Sequence, residues 1–255
     1  MTGNEAMSAT CERASLLLEQ EEFSLVLRML HDAKEQLYDN GAAWQLRGLA
    51  HFALGDYEQA LQALEHASML IPLSAVAQCR LAACYLFVRR AKVAAVIYLH
   101  LAELEMLSEE LVECIADGLA RVREDQAALN FCLDHLRQFR GNHRLLISVA
   151  EVTRRLGFDS DEVLPFAYQA HRLQPENVSY RILFVQLLVD AGRVREAGNA
   201  LAAVELDRLQ CVASLQRLRL LFKRIDDEAG VEHCQARLTQ IGYELSSGYR
   251  PTKDE

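Results

Sequence analysis

Small side chains recur along this sequence at intervals of 34 residues. One series is centred on Gly48 and includes Ala14, Ala82, Ala116 and Ala150. A second series runs through Val26, Ala60, Ala94 and Ala128 and, after one extra residue in the loop Phe158–Asp161, continues through Val163, Ala197 and Val231. Two antiparallel helices pack at close range only where one of each pair presents a small side chain. The pattern therefore predicts a stack of helical hairpins.

Turn-forming residues separate the predicted helices. Gly55 and Asp56 precede Tyr57, and Ser108 stands before two glutamates as a helix cap would. Residues at the position of Gly55 in the other hairpins are Glu21, Arg89, Arg123, Gly157, Gly192 and Asp226. We predict seven hairpins, beginning near residues 7, 41, 75, 109, 143, 178 and 212.

The segment from Trp44 to Pro72 resembles a tetratricopeptide repeat. The residues on the spacing typical of that family are Trp44, Gly48, Gly55, Tyr57, Ala60, Ala67 and Pro72. The resemblance implies an all-α fold, a right-handed superhelical solenoid of about seven antiparallel hairpins. We expect residues 1–244 to form one domain of this type and residues 245–255 to form a polar, disordered tail.

Composition and charge narrow the range of partners. The chain has 255 residues, is about half apolar and carries a formal net charge of −9 that is spread over both halves. Nucleic acid and anionic membranes both require a concentrated basic face, so neither is expected as a partner. The N-terminal segment lacks the basic head and unbroken apolar run of a signal peptide, and the apolar stretch Ala82–Leu101 is interrupted by three basic residues. A cytoplasmic location is therefore expected.

The cysteines, histidines and glycines of the sequence do not form a catalytic or metal-binding motif. The seven cysteines contain no CxxC pair, which favours reduced thiols in the core over a disulfide framework or a zinc module. The sequence also lacks a glycine-rich phosphate loop, a nucleophile elbow and an HExxH motif. Histidines recur near one place in successive second helices: His66, His100, His135 and His171. Because stacked repeats lie roughly 10 Å apart, we expect these histidines to be structural, and we expect a non-catalytic protein without a cofactor or metal.

The resemblance also implies where a partner would bind, because the first helix of each hairpin lines a concave groove in tetratricopeptide proteins. In the second and third hairpins the groove positions are Gln45, Leu49, Phe52, Val76, Cys79, Ala83, Leu86 and Phe87. The fourth hairpin contributes Glu113 and Asp117, and the fifth contributes Arg154 and Arg155. Leu49, Phe52, Leu86 and Phe87 add a second apolar stripe, and exposed apolar patches usually mark a partner site. We expect the groove to bind a protein or peptide with an apolar segment, as an adaptor or scaffold does.

Several alternatives stay open. The groove residues would be covered if later repeats or the tail folded onto them, or if the patch joined two copies in a homodimer. The stretch from Gly55 to Lys92 resembles the tetratricopeptide chaperones of type III secretion translocators, which implies a chaperone of a secreted or membrane-active client as a second function. Related domains hold the acidic C-terminal peptides of heat-shock chaperones with lysines and asparagines, and the second and third hairpins have neither residue at those positions.

Overall fold

The structure, a computed structural model, describes residues 3–32 and 39–246. Within these ranges the chain forms fourteen α-helices, one 3-10 turn (Leu206–Arg208) and no strand. The helices are α1 (Gly3–Glu19), α2 (Phe23–Asp32), α3 (Gly41–Ala53), α4 (Tyr57–Leu70), α5 (Ala75–Phe87), α6 (Ala91–Ala102), α7 (Glu109–Arg121), α8 (Asp125–Gln138), α9 (His143–Arg155), α10 (Ser160–Leu173), α11 (Val178–Asp190), α12 (Val194–Ala202), α13 (Val212–Arg224) and α14 (Glu228–Ser246). The all-α fold is therefore confirmed.

The helix boundaries reproduce the predicted hairpins. From the second hairpin onward, the first helices begin at the predicted positions: Gly41, Ala75, Glu109, His143, Val178 and Val212. The first hairpin is the exception, since α1 already begins at Gly3 rather than near residue 7. Residues 156–159 form the turn between α9 and α10, one residue longer than the turn 122–124 between α7 and α8. The extra residue thus lies where the shift of register requires it.

The chain divides into two compact units, Met1–Phe131 and Cys132–Glu255. In the first unit α1 packs on α2, α3 on α4 and α5 on α6, and in the second α9 packs on α10, α11 on α12 and α13 on α14. A single domain over 1–244 and a right-handed superhelix stay predictions. Helix α14 continues to Ser246, so it includes the first two residues of the expected tail, and 247–255 lie outside the described residues.

Both series of small residues lie inside the hairpins. The buried members are Ala14, Val26, Gly48, Ala60, Ala82, Ala94, Ala116, Ala128, Ala150, Val163 and Ala197, whereas Val231 is half-buried. Gly48 shows how close the helices come, because a Cβ added there would stand 2.6 Å from Cγ of Leu64 and 3.2 Å from the Leu64 backbone nitrogen. The small residues that recur every 34 positions therefore mark the points where the helices approach most closely.

Local capping and turn geometry fix where each helix begins and ends. The side chains of Asn40, Ser74 and Ser108 each accept a hydrogen bond from the backbone N–H three residues later, at 2.9, 3.3 and 3.4 Å. These bonds satisfy N–H groups that have no partner within the helix. All seven predicted turn positions have positive φ: Glu21 (61°), Gly55 (82°), Arg89 (60°), Arg123 (68°), Gly157 (85°), Gly192 (74°) and Asp226 (58°). The same turn thus closes every hairpin, with or without glycine.

Candidate functional site

Three aromatic rings meet where the second and third hairpins adjoin. The ring centroids of Phe52 and Tyr57 are 5.4 Å apart, and those of Tyr57 and Phe87 are 4.9 Å apart. Phe52 lies near the end of α3, Tyr57 begins α4 and Phe87 ends α5, so the aromatic cluster of Phe52, Tyr57 and Phe87 spans two hairpins. Phe87 is 56% exposed, whereas the other two rings are half-buried. The cluster therefore exposes apolar surface on side chains that are held in place by neighbouring rings.

Charged groups flank the aromatic cluster on two sides. The Arg80 guanidinium carbon lies 5.0 Å from the centroid of the Phe52 ring, a cation–π arrangement. A cavity of about 270 Å³ beside Tyr57 and Phe87 is also lined by Asp56 and Glu58. The site therefore combines an apolar centre with one cationic and one anionic edge.

A smaller cavity of about 60 Å³ lies between the first helices of the third and fourth hairpins. We call it the thiol pocket; its lining residues are Val76, Cys79, Arg80, Ser108, Glu110, Leu111 and Cys114. Nη1 of Arg80 lies 3.5 Å from Sγ of Cys114 and can donate a hydrogen bond to it. Nη2 of the same guanidinium lies 4.0 Å from an Oε atom of Glu110. A single arginine therefore holds both a sulfur and a carboxylate in this pocket.

The pKa values of the two thiols in the pocket are shifted in opposite directions. The Cys79 thiol donates a hydrogen bond to the Cys114 sulfur, and together with the Arg80 charge this lowers the pKa of Cys114 although its burial opposes the shift. The pKa of Cys79 is raised by that same hydrogen bond, by burial and by the neighbouring sulfur. Cys114 is thus the more acidic of the two thiols.

Some expected groove residues have partners within the first unit. The side-chain oxygen of Gln45 accepts a hydrogen bond from the backbone N–H of Ser74 at 2.9 Å, which ties α3 to the residue that precedes α5. Leu49 packs against the core around Leu64, and Cys79 is only 3% exposed. Val76 is exposed, while Ala83 and Leu86 are half-buried. Val76 and Phe87 are therefore the exposed apolar members of the expected set.

The expected charged residues lie on α7 and α9. Glu113 is half-buried, and Asp117 is exposed with a carboxylate oxygen 3.7 Å from Nη1 of Arg121 on the same helix. Arg154 is exposed and Arg155 is half-buried, both at the end of α9 in the second unit. An exposed ion pair such as Asp117–Arg121 contributes little to stability, so its carboxylate can exchange partners at small cost.

Sequence reasoning missed two residues of the site. Tyr57 was identified only as a repeat position, although its place between two groove phenylalanines makes it the centre of the aromatic cluster. Cys114 was assigned to the core with the other cysteines, but it is half-buried and lines the thiol pocket. The prediction of core thiols is also wrong for Cys211, which is exposed because it precedes α13 in a loop.

Histidines of the second helices lie against aromatic rings. The His66 ring is 4.5 Å from the Trp44 ring, and the His171 ring stacks on Phe184 at 5.6 Å. Burial, aided by the charge of Arg181, lowers the pKa of His171. In residues 3–32 and 39–246, no group of three or more His, Cys, Asp or Glu side chains lies together as metal ligands would. The same ranges contain no helix that is both long and apolar enough to span a bilayer.

Solved structures share this fold at low sequence identity. No known protein-family model matches the sequence, and no curated protein matches it. PilF of Pseudomonas aeruginosa is 18% identical over 83% of this chain and 93% of its own, with a TM-score of 0.59. YrrB, described as a tetratricopeptide protein with an unusual peptide-binding site, is 16% identical over 71% of this chain and 96% of its own (TM-score 0.58). A chain of the Cut9–Hcn1 hetero-tetramer of APC/C is 12% identical over 89% of this chain and 48% of its own (TM-score 0.65).

Helix boundaries, buried small residues and structural matches agree on one class. The chain is a helical-repeat protein with the tetratricopeptide fold. This result confirms the resemblance first seen between Trp44 and Pro72.

Proposed function

We propose that this protein is a non-catalytic interaction module that binds an apolar peptide or helix of another protein through its first unit. The observation that carries the proposal is the aromatic cluster, in which Phe87 is 56% exposed and contacts the ring of Tyr57, which in turn contacts Phe52. Exposed aromatic side chains that are already held by neighbours lose little conformational entropy on binding. The peptide-binding site of YrrB supports the same use of the fold.

The flanking charges would orient the bound segment. Asp56 and Glu58 line the cavity beside Phe87, so they would attract a basic residue next to the apolar anchor. Glu113 and Asp117 would add acidic groups on α7. The binding surface we propose lies in the first unit and comprises Gln45, Leu49, Phe52, Val76, Cys79, Ala83, Leu86, Phe87, Glu113 and Asp117, with Tyr57 added. Arg154 and Arg155 belong to the second unit, and their contact with an acidic group of a partner is a separate proposal.

The substitution Phe87→Ser tests this proposal. Peptides selected from a random library on the full chain would be measured against wild type and variant. Full burial of a phenylalanine contributes roughly 1.5–3 kcal/mol, so burying the exposed half of Phe87 contributes roughly 1–1.5 kcal/mol. We therefore expect Kd to rise about tenfold. Val96→Ser is the matched control, because Val96 is 68% exposed on a second helix, α6, and its loss should leave Kd unchanged. Equal affinity of wild type and Phe87→Ser, with unchanged helical circular dichroism, contradicts the proposal.

A chaperone of a secreted or membrane-active client is the second candidate. It is favoured by the exposed apolar side chains on α4, α5 and α6, where Met69, Val76, Phe87 and Val96 all reach solvent. Such a surface would shield the apolar segment of a client during its synthesis. Co-expression separates the two functions, since a client of a chaperone needs this protein to stay soluble and a partner of an adaptor does not. Sedimentation at two concentrations tests a homodimer, which would bury the same patch.

A further inference from the structure

The thiol pocket is lined by two cysteines from different hairpins. Cys79 belongs to α5 and Cys114 to α7, and these two helices pack against each other. Nη1 of Arg80 approaches the Cys114 sulfur to 3.5 Å. A cysteine that merely fills core volume needs neither a sulfur neighbour nor a guanidinium, so packing alone does not account for this arrangement.

Electrostatics distinguish Cys114 from the inert cysteines of the chain. The hydrogen bond from Cys79 and the positive charge of Arg80 stabilise a thiolate at Cys114, against the opposing influence of burial and of the Glu110 carboxylate. Burial alone raises the pKa of Cys84 and of Cys132 to about 12, so these two thiols stay protonated. Because the thiolate is the reactive form, reactivity toward oxidants is expected at Cys114 and at the exposed Cys211, whose pKa is lowered by hydrogen bonds with Ser214.

We propose that Cys79 and Cys114 form an oxidisable dithiol, which hydrogen peroxide converts into a disulfide that joins α5 to α7. Cys114 is the residue that reacts first with hydrogen peroxide, because it is half-buried and lines the pocket, whereas Cys79 is nearly inaccessible. A cavity of about 60 Å³ is large enough for an oxidant with two heavy atoms. This inference does not depend on the proposed binding function.

The reaction is balanced in two steps. The Cys114 thiolate attacks one oxygen of hydrogen peroxide, the O–O bond breaks, and the products are a sulfenic acid at Cys114 and hydroxide. The Cys79 sulfur then attacks the sulfenic sulfur and the S–O bond breaks. The departing OH group takes the Cys79 thiol proton and leaves as water. The hydroxide from the first step takes a proton from solvent and becomes the second water molecule. Overall, two thiols lose two electrons and one hydrogen peroxide gives two water molecules. The guanidinium of Arg80 neutralises the attacking thiolate.

The test uses the full chain with Cys211→Ser, which removes the exposed thiol outside the pocket. After hydrogen peroxide treatment and alkylation, peptide mass spectrometry should show a disulfide between Cys79 and Cys114 that dithiothreitol reverses. Adding Cys79→Ser should leave Cys114 as a sulfenic acid that dimedone captures. Adding Cys84→Ser, in the same helix α5, should not affect formation of the disulfide.

A second measurement does not depend on how the variants fold. The rate of iodoacetamide alkylation at Cys114, followed against pH in the Cys211→Ser protein, should reach half its maximum below the ordinary thiol value of about 8.5. A midpoint at or above 8.5 in the Cys211→Ser protein overturns the proposal. Oxidation of Cys114 no faster than that of Cys84 overturns it as well.

Discussion

Gly48 and Gly198 allow one substitution to be tested in two opposite surroundings. Both glycines lie inside helices, in α3 and α12, so alanine removes the same backbone entropy cost at each and favours the helix by up to about 1 kcal/mol. At Gly198 the new Cβ would lie 3.8 Å from the nearest atom, Cδ1 of Ile225, which is an ordinary contact. We therefore expect Gly198→Ala to raise the free energy of unfolding by roughly 0.5–1 kcal/mol.

At Gly48 the same methyl group collides with its neighbour. It would stand 2.6 Å from Cγ and 2.7 Å from Cδ2 of Leu64, and 3.2 Å from the Leu64 backbone nitrogen. Leu64 is fully buried, so it has no free volume to move into. Overpacking of this kind costs roughly 1–3 kcal/mol. Both variants gain the same helix propensity, so the difference between their free energies of unfolding reports the overpacking alone. Gly48→Ala should therefore be less stable than Gly198→Ala by roughly 1–3 kcal/mol.

Urea unfolding followed by circular dichroism measures the comparison, with the midpoint and slope determined for wild type and both variants. Since repeat proteins can unfold in more than one step, hydrogen exchange on α3, α4 and α12 would assign each change to its own hairpin. Adding Leu64→Ala to Gly48→Ala should remove part of the penalty, which a double-mutant cycle detects as coupling. Equal stability of the two alanine variants would refute the explanation of the 34-residue pattern by close helix approach.

Two further predictions follow from the structure. Arg89 and Arg123 have φ of 60° and 68°, a left-handed conformation that glycine adopts without strain. Replacing either with glycine should therefore raise the free energy of unfolding, measured in urea, by roughly 0.5–1 kcal/mol. The control Arg121→Gly, within α7, should lower it. Burial raises the pKa of Cys132 from its ordinary value to about 12, so the folded state binds the proton more tightly than the unfolded state does. The contribution of Cys132 to the free energy of unfolding is therefore present below pH 9 and is lost as pH rises toward 12, by at most about 1.4 kcal/mol per pH unit. Cys132→Ala should make the free energy of unfolding depend less steeply on pH in this range. An unchanged slope between pH 9 and 11 would contradict it.

The binding proposal and the dithiol concern neighbouring parts of the first unit. Cys79 lines the thiol pocket and is also one of the residues in the proposed binding surface. A disulfide between α5 and α7 would fix these two first helices to each other, while Phe52 and Phe87 remain on the aromatic cluster. Measuring peptide binding by the reduced and oxidised protein would show whether the two properties are linked.

The sequence by itself determined the class of fold and most helix boundaries. Small residues repeat where the two helices of a hairpin approach closely, as at Gly48, where an added Cβ would collide with Leu64. Helix starts follow from short-range capping, in which Ser74 or Ser108 bonds to a backbone N–H only three residues away. Such rules act within a few residues or between two helices of one hairpin, so a linear pattern contains them.

Tertiary structure alone decided which of the groove positions reach solvent and which side chains meet. Gln45 and Leu49 were both expected to face a groove, yet the side-chain oxygen of Gln45 accepts a hydrogen bond from the Ser74 N–H and Leu49 packs against the core. Tyr57 contacts Phe87 from the next hairpin, and the Cys79 thiol donates to Cys114, 35 residues further along the chain. The 34-residue period specifies the helix face on which a residue lies. It does not specify the rotation between neighbouring hairpins or the side-chain rotamers, and these set contacts across hairpins.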